Sequence, residues 1–221
     1  MPEGATVDAA GTSSRRAMLS TVLLAATGLA GLGACDGEEQ QPAAASATLA
    51  SSRTAIRHTV TRLTVTPGLP YAEVVARYEQ TVPQLPTAAL RTQLRTKPFA
   101  EVKAFLAKAS PVSLFIFWTL DVTPFMTAAG HLAKCRTYLM GNPLIAETMY
   151  PYNAGVMLHA PLRAAIFTDS TGVAHLIIDR PSDLFASFDD PHITATGHAL
   201  DAKLVDLLHR LQFPVPPELR T

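Results

Sequence analysis

The pattern of apolar and polar positions predicts that the folded part of the chain begins with a strand and a helix. Residues 56–65 are rich in Thr and Val, which favour strands, and a Thr-Pro-Gly turn follows them. After Pro70, which suits a first helical turn, apolar side chains recur at offsets of three and four until Pro83. The apolar face of this predicted helix consists of Tyr71, Val74, Val75, Tyr78 and Val82.

The next segment, residues 83–111, is interpreted as a helical insertion between core elements. Its first half has no clear period, whereas apolar residues return at helical spacing between Pro98 and Ala109. A Ser-Pro pair then ends the pattern.

Two predicted strands differ in their burial pattern. Residues 112–118 form a continuous apolar run that ends in Trp118, which predicts a central strand covered on both faces. Residues 133–140 alternate in character, which predicts a strand with one face toward the core. We expect Cys135 to lie on that inward face.

The C-terminal part predicts a short helix, three strands and a long helix. Asn142 can cap a helix that Pro143 opens. The strands are predicted at 156–159, 162–167 and 173–178, and the long amphipathic helix runs from Ile193 to Leu211. Together these elements predict an α+β fold, an antiparallel sheet with helices packed on one face.

Composition indicates one domain and argues against a nucleic-acid partner. The chain has 221 residues, and 18 basic residues balance 18 acidic ones, so no net field attracts polyanions. We place a single domain at 56–213, followed by a tail at 214–221, and we expect no internal membrane span.

The N-terminus resembles a bacterial export signal that ends in a lipid-attachment site. Arg15 and Arg16 precede a short apolar stretch, which resembles a twin-arginine signal. Leu32-Gly33-Ala34-Cys35 resembles a lipobox, in which the cysteine thiol accepts a diacylglyceryl group. We therefore expect residues 1–34 to be removed and Cys35 to carry lipid. An uncleaved membrane anchor, or translation from Met18, are the alternatives.

These features predict an exported protein that is lipid-anchored in the cell envelope, with its domain in the periplasm or outside the cell. Residues 35–55 are polar and small, as expected of a flexible tether between the lipid on Cys35 and the domain. The membrane is thus the first predicted partner.

Four short motifs in the second half resemble the domain-of-unknown-function 302 family by their order and spacing, over roughly residues 136–211. The resemblance extends to the predicted strand and helix of residues 56–82. It does not extend to residues 83–111, which depart from the family pattern. It implies a compact α+β domain that is commonly a dimer, and it brings no established activity or catalytic residue. The motifs are Gly141-Asn142-Pro143-Leu144-Ile145-Ala146, Ala160-Pro161-Leu162-Arg163, Ile166-Phe167-Thr168-Asp169 and Asp179-Arg180-Pro181.

Scaffold roles explain most motif positions, and a ligand site is the alternative. Asn142, Arg163 and Asp179 are all predicted near strand ends, where they could converge on the mouth of a pocket that binds a small polar group. No motif of a serine hydrolase, a phosphate loop, a dinucleotide cofactor or a metal site is present.

The leading functional hypothesis is a non-catalytic, lipid-anchored binding or interaction domain. We expect it to form a homodimer and to accept an apolar or small amphipathic ligand between sheet and helices. The first alternative is an enzyme of unrecognised chemistry that uses Cys135 as a thiolate or the Asn142, Arg163 and Asp179 region. The second is a structural partner of another envelope protein, assembled through residues 83–111.

Overall fold

The fold is an antiparallel sheet packed against helices. The computed structural model describes residues 51–220, so the signal, Cys35 and most of the tether lie outside the described residues. The sheet has the strand order β1-β5-β4-β3-β2. Its strands are β1 (Arg62–Val65), β2 (Phe115–Asp121), β3 (Cys135–Gly141), β4 (Leu162–Thr168) and β5 (Ala174–Asp179).

Seven α-helices accompany the sheet in the described part of the chain. Two short 3-10 helices, Ala154–Leu158 and Pro217–Leu219, complete the elements. The α-helices are α1 (Tyr71–Thr81), α2 (Thr87–Thr96), α3 (Phe99–Ala109), α4 (Thr123–Ala128), α5 (Pro143–Met149), α6 (Pro181–Ala186) and α7 (Pro191–Leu211).

The main core lies between one face of the sheet and helices α1 and α7. Tyr78 of α1 is buried against this face, and its hydroxyl donates to Met140 Sδ at 3.0 Å. Alternate strand residues complete the apolar layer because successive side chains point to opposite faces. The predicted α+β class, with an antiparallel sheet and helices on one face, is therefore confirmed. Buried strand residues on this side include Leu63, Val65, Tyr138, Leu162, Ala164, Ile166, Leu176 and Ile178.

Strand β2 lies at an edge of the sheet, so the prediction of a central strand is wrong. Its residues are apolar because two different clusters cover its two faces. Phe115 and Ile116 are both buried, but Ile116 belongs to the main core and Phe115 to a second cluster with Val102 and Leu106 of α3. Residue 117 forms a bulge, and Trp118 beyond it is 48% exposed.

The open side of β2 is partly covered by the segment that precedes α2. Ile116 donates its backbone N–H to the carbonyl of Pro83, and its own carbonyl accepts from Leu85. This short parallel bridge satisfies backbone groups that an edge strand otherwise leaves exposed. Residues 83–111 thus contain two helices, α2 and α3, of which α3 contributes the apolar face of the second cluster.

Strand β3 has the opposite orientation from the predicted one. Tyr138 and Met140 are buried beneath α1, whereas Cys135 points to the other face and is only half-buried. The predicted orientation of β3 is wrong because a charged residue, Arg136, lies on the face that packs against the helices. It stays there because Glu79 of α1 accepts from its Nη1 at 3.0 Å and Asp121 of β2 accepts from its Nη2 at 2.8 Å.

Two smaller predictions also differ from the structure. The strand predicted at 156–159 is a 3-10 helix, Ala154–Leu158, with Asn153 as its cap. The first strand is shorter than its Thr-rich and Val-rich stretch, since only Arg62–Val65 pairs with β5. Among the described residues, no helix is both long enough and apolar enough to cross a membrane.

Candidate functional site

The face of the sheet opposite α1 and α7 is a candidate surface beyond the second cluster, where α3 covers Phe115 at the end of β2. We call this exposed part the open sheet face. Cross-strand register places Leu120, Thr137, Ala165, Ile177 and Thr64 in one row across all five strands. All of them are exposed or half-buried. The neighbouring rows contain Trp118, Leu139 and Arg163 on one side, and Cys135, Phe167 and His175 on the other.

Two predicted site residues, Arg163 and Asp179, meet on the open sheet face. Both line a shallow depression of about 270 Å³ together with Arg62. Asp179 accepts from Arg62 Nε at 3.0 Å, whereas Arg163 has no ion pair within residues 51–220. The depression therefore presents one paired carboxylate and one guanidinium available to a partner.

The third predicted site residue, Asn142, lines a different cavity. Its side-chain oxygen accepts from the Leu144 N–H at 2.8 Å, and its amide donates to the Ser113 carbonyl at 2.9 Å. The oxygen of the side-chain amide is thus used to start α5, and its NH2 group is used to hold the loop before β2. Asn142 shares one end of the sheet with Arg163 and Asp179 but not a site with them.

Asn142 borders a small apolar groove into which two of the four motifs converge. Gly141 and Pro161 lie so close that a Cβ on Gly141 would be 3.4 Å from Pro161 Cα. The peptide bond between Ala160 and Pro161 is cis. The groove holds only about 50 Å³ and also contacts His159 and Met157. These motif residues therefore pack against each other rather than surround a large ligand.

His159 is the titratable residue of this groove. Burial lowers its pKa from the ordinary histidine range, and the nearby charge of His58 lowers the pKa further. Its ring lies edge-on to Phe185 and Phe188. An aromatic, poorly hydrated setting favours the neutral imidazole.

The Asp-Arg-Pro motif at 179–181 is explained by a buried carboxylate on α7. Asp201 is 5% exposed and accepts from Arg180 Nε at 3.1 Å and from the Ser182 N–H at 3.0 Å. Asp183 accepts from the Thr61 N–H at 2.8 Å, which ties the entry of β1 to α6. This motif therefore joins α6, α7 and β1.

The turn between β4 and β5 is organised by Asp169, another motif residue. Its side chain accepts from the N–H groups of Thr171 and Val173 and from the Thr171 hydroxyl. These bonds, with a further one to His175, hold the pKa of Asp169 well below its usual range. A scaffold role accounts for this position too.

Cys135 is poorly placed for thiolate chemistry. Burial raises the pKa of its thiol, and the negative charge of Asp121 raises it further. A catalytic cysteine needs a lowered pKa, which an adjacent cation or a helix N-terminus supplies. Its backbone N–H and carbonyl are both bonded to the Thr123 hydroxyl, which fixes the start of β3.

Enclosed space for a ligand is small. The cavity between sheet and helices beneath Tyr78 and Leu204 holds about 10 Å³. Within residues 51–220, no group of three or more His, Cys, Asp or Glu side chains is arranged to hold a metal ion.

The sequence analysis missed the exposed apolar side chains of β2. Trp118 is 48% exposed and Leu120 is 43% exposed, and both lie on the open sheet face. The available signal was the polar Thr119 between the apolar Trp118 and Leu120, at the end of the continuous apolar run. That change of pattern marks the position where the second cluster ends.

Comparison with known proteins identifies the family. The sequence model of "Domain of unknown function DUF302" matches residues 90–211, which is more than half of the chain. The match begins inside α2, so it includes most of the segment interpreted as an insertion and excludes β1 and α1.

One solved structure is titled "Crystal structure of uncharacterized conserved protein DUF302 from Bacillus stearothermophilus". It is 16% identical, with a TM-score of 0.49, and the alignment covers 68% of this chain and 97% of that chain. No curated protein matches the sequence. On the family match, the chain belongs to the DUF302 family.

Proposed function

We propose that this protein is a lipid-anchored interaction domain of the cell envelope that forms a homodimer through its open sheet face. The observation that carries the proposal is the exposure of Trp118 and Leu120 on the sheet face opposite α1 and α7. Exposed apolar patches on folded domains commonly mark protein contacts, and aromatic residues are enriched in such contacts.

Several features of the open sheet face suit a second copy of the chain. Its central row is apolar or small at Leu120, Ala165 and Ile177, which allows close packing of two sheets about 10 Å apart. Charged residues lie toward the end of the face, where Arg163 has no ion-pair partner within residues 51–220. The family resemblance also implies a dimer.

Lipid anchoring is proposed from the residues before the domain. The twin arginines, the apolar stretch and Leu32-Gly33-Ala34-Cys35 support export and lipid attachment at Cys35. More than one acyl chain is needed for durable membrane attachment, and a modified N-terminal cysteine carries such chains.

An interaction surface is favoured over an enclosed ligand site. Pockets for small organic ligands occupy roughly 300–1,000 Å³. The space between sheet and helices is about 10 Å³, and the groove beside Asn142 is about 50 Å³. Binding of a small amphipathic ligand therefore stays a prediction, which the finding of a copurifying molecule would support.

Sedimentation equilibrium of the mature chain with Cys35→Ser tests the dimer. We expect a dimer for this chain and a shift toward monomer, on the order of tenfold or more in dissociation constant, for Trp118→Lys. Charge placed within an apolar contact must be desolvated, which weakens association.

Leu94→Lys is the matched control, because Leu94 is 57% exposed on α2 and does not belong to the open sheet face. It should leave the dimer intact. A monomeric parent chain, or equal weakening by both substitutions, would contradict the proposed contact.

A further inference from the structure

One end of the domain carries exposed apolar side chains close to the place where the tether enters. The chain from 142 to 161 connects the end of β3 to the start of β4. Arg62, the first residue of β1, pairs with Asp179, the last residue of β5. Because neighbouring strands are antiparallel, the entry to β1 lies at the same end of the sheet as this connection. We call this region the tether-side end.

A ring contact shows how close the entering chain comes to the connection. The rings of His58 and His159 have centroids 6.1 Å apart. The residues just before His58 therefore leave the domain beside the groove that His159 lines.

The tether-side end exposes several large apolar side chains. Leu158 is 79% exposed and Met157 is 48% exposed, although both follow the buried Val156. Tyr150 and Tyr152 are each at least half exposed, and Tyr152 stacks flat on His192 with a centroid distance of 4.1 Å. Ile56, on the entering chain, is 67% exposed.

The charges at this end are mixed, because Asp179 pairs with Arg62, Asp190 caps α7 beside His192, and Asp189 is exposed. Residues 142–161 contain one acidic residue, Glu147, and its carboxylate pairs with Lys103 at 3.1 Å. The entering chain adds Arg53 and Arg57, both exposed. The exposed apolar side chains are therefore bordered by basic residues on the side of the entering chain.

The proposed lipid site lies close in sequence to the described part of the chain. Fifteen residues, 36–50, lie between Cys35 and Ser51. With the proposed lipid on Cys35, a flexible tether of that length would keep the domain within about 20–25 Å of the bilayer.

We propose that the tether-side end docks onto an anionic lipid bilayer, with Leu158 and Met157 entering the interface. Tyr150 and Tyr152 take positions at the headgroup level, where tyrosine is enriched in membrane proteins. Arg53 and Arg57 contact lipid phosphates. The biological role of this docking rests on the proposed anchor at Cys35, because the anchor supplies the proximity that a small apolar patch requires.

Vesicle binding of the unlipidated mature chain, Cys35→Ser, tests the surface without the anchor. Vesicles of phosphatidylcholine mixed with phosphatidylglycerol should bind the chain more tightly than phosphatidylcholine alone. Leu158→Asp should weaken binding on the order of tenfold, because it removes an apolar side chain that docking would bury in the bilayer and adds a charge that anionic lipid repels.

Leu132→Asp is the control, because Leu132 is 94% exposed in the β2–β3 connection, at the opposite end of the sheet. It should change binding by less than about twofold. Equal binding of the parent chain and Leu158→Asp, or an equal loss with Leu132→Asp, would overturn the inference. So would the absence of binding to both vesicle types.

Hydrogen exchange of the lipidated protein separates this inference from the proposed anchor. We expect residues 150–158 to exchange more slowly on vesicles than in the unlipidated chain without vesicles. A lipidated Cys35 with no protection of 150–158 overturns the docking and leaves the anchor standing. An unmodified Cys35 in protein from its own host overturns the anchor, while the vesicle result for Cys35→Ser remains valid.

Discussion

Removal of the Asp201 carboxylate should destabilise the domain more than any exposed substitution on the same helix. Asp201 is 5% exposed and accepts from Arg180 and from the Ser182 N–H, so it joins α7 to the start of α6. Asp201→Ala removes the acceptor of the buried Ser182 N–H and the acceptor of Arg180 Nε.

Breaking a buried ion pair by removing one partner costs roughly 3–5 kcal/mol. Because the Arg180 side chain is 19% exposed and keeps some hydration, we expect the lower end, about 3 kcal/mol. For a domain of this size each kcal/mol shifts the melting temperature by about 2–4 °C, so the expected loss is about 6–12 °C.

Thermal and urea unfolding followed by circular dichroism measure this loss. Asp201→Asn retains an acceptor for Ser182 and should lose less, about 1–2 kcal/mol. Asp206→Ala, at an exposed position of α7, is the control and should stay within about 0.5 kcal/mol of the parent chain. A loss below about 0.5 kcal/mol for Asp201→Ala would refute the structural role assigned to this carboxylate.

Three further predictions follow from particular contacts. Cys135 in the Cys35→Ser chain should label slowly near neutral pH and faster as pH rises beyond the ordinary thiol range, since burial and Asp121 raise its pKa; a fast plateau near neutral pH would disprove this. Because the pKa of His159 is lowered, the folded state binds fewer protons than the unfolded state, so stability should fall as pH drops through about 6.5. Urea unfolding of His159→Gln should show a smaller fall, and an identical pH dependence would be evidence against it. Gly197→Ala should be destabilising by up to about 2 kcal/mol, because its Cβ would lie 3.0 Å from Ser182 Cα and this crowding exceeds the gain in helix propensity; unfolding measurements that find it stabilising would contradict that.

Local signals predicted the amphipathic helices α1, α3 and α7, because a helix that packs on a sheet needs only one apolar face, whereas the short helices α4 and α6 were not predicted. The face of α1 that contains Val74, Val75 and Tyr78 is buried as its period predicts. The cap at Asn142 also follows from sequence, because the bond from the Leu144 N–H is local.

Properties that depend on distant residues were not available from the pattern. The position of β2 at the edge was hidden because α3 buries Phe115 from one side while the main core buries Ile116 from the other. The orientation of β3 was hidden because Arg136 is kept on the helix side by Glu79, which is 57 residues earlier in the chain. The same limit applies to the site, since Arg163 and Asp179 share a depression that Asn142 does not reach.

The most direct measurement of the proposed dimer is the distance between spin labels on two copies of the chain. Thr64→Cys places a label on the open sheet face, and Asp206→Cys places one on α7, each in a chain with Cys35→Ser and Cys135→Ser. Two sheets packed face to face are about 10 Å apart, so we expect a distance below about 30 Å for Thr64→Cys and a longer one for Asp206→Cys. A shorter distance for Asp206→Cys, or no interaction between labels at either position, would contradict the proposed contact through the open sheet face.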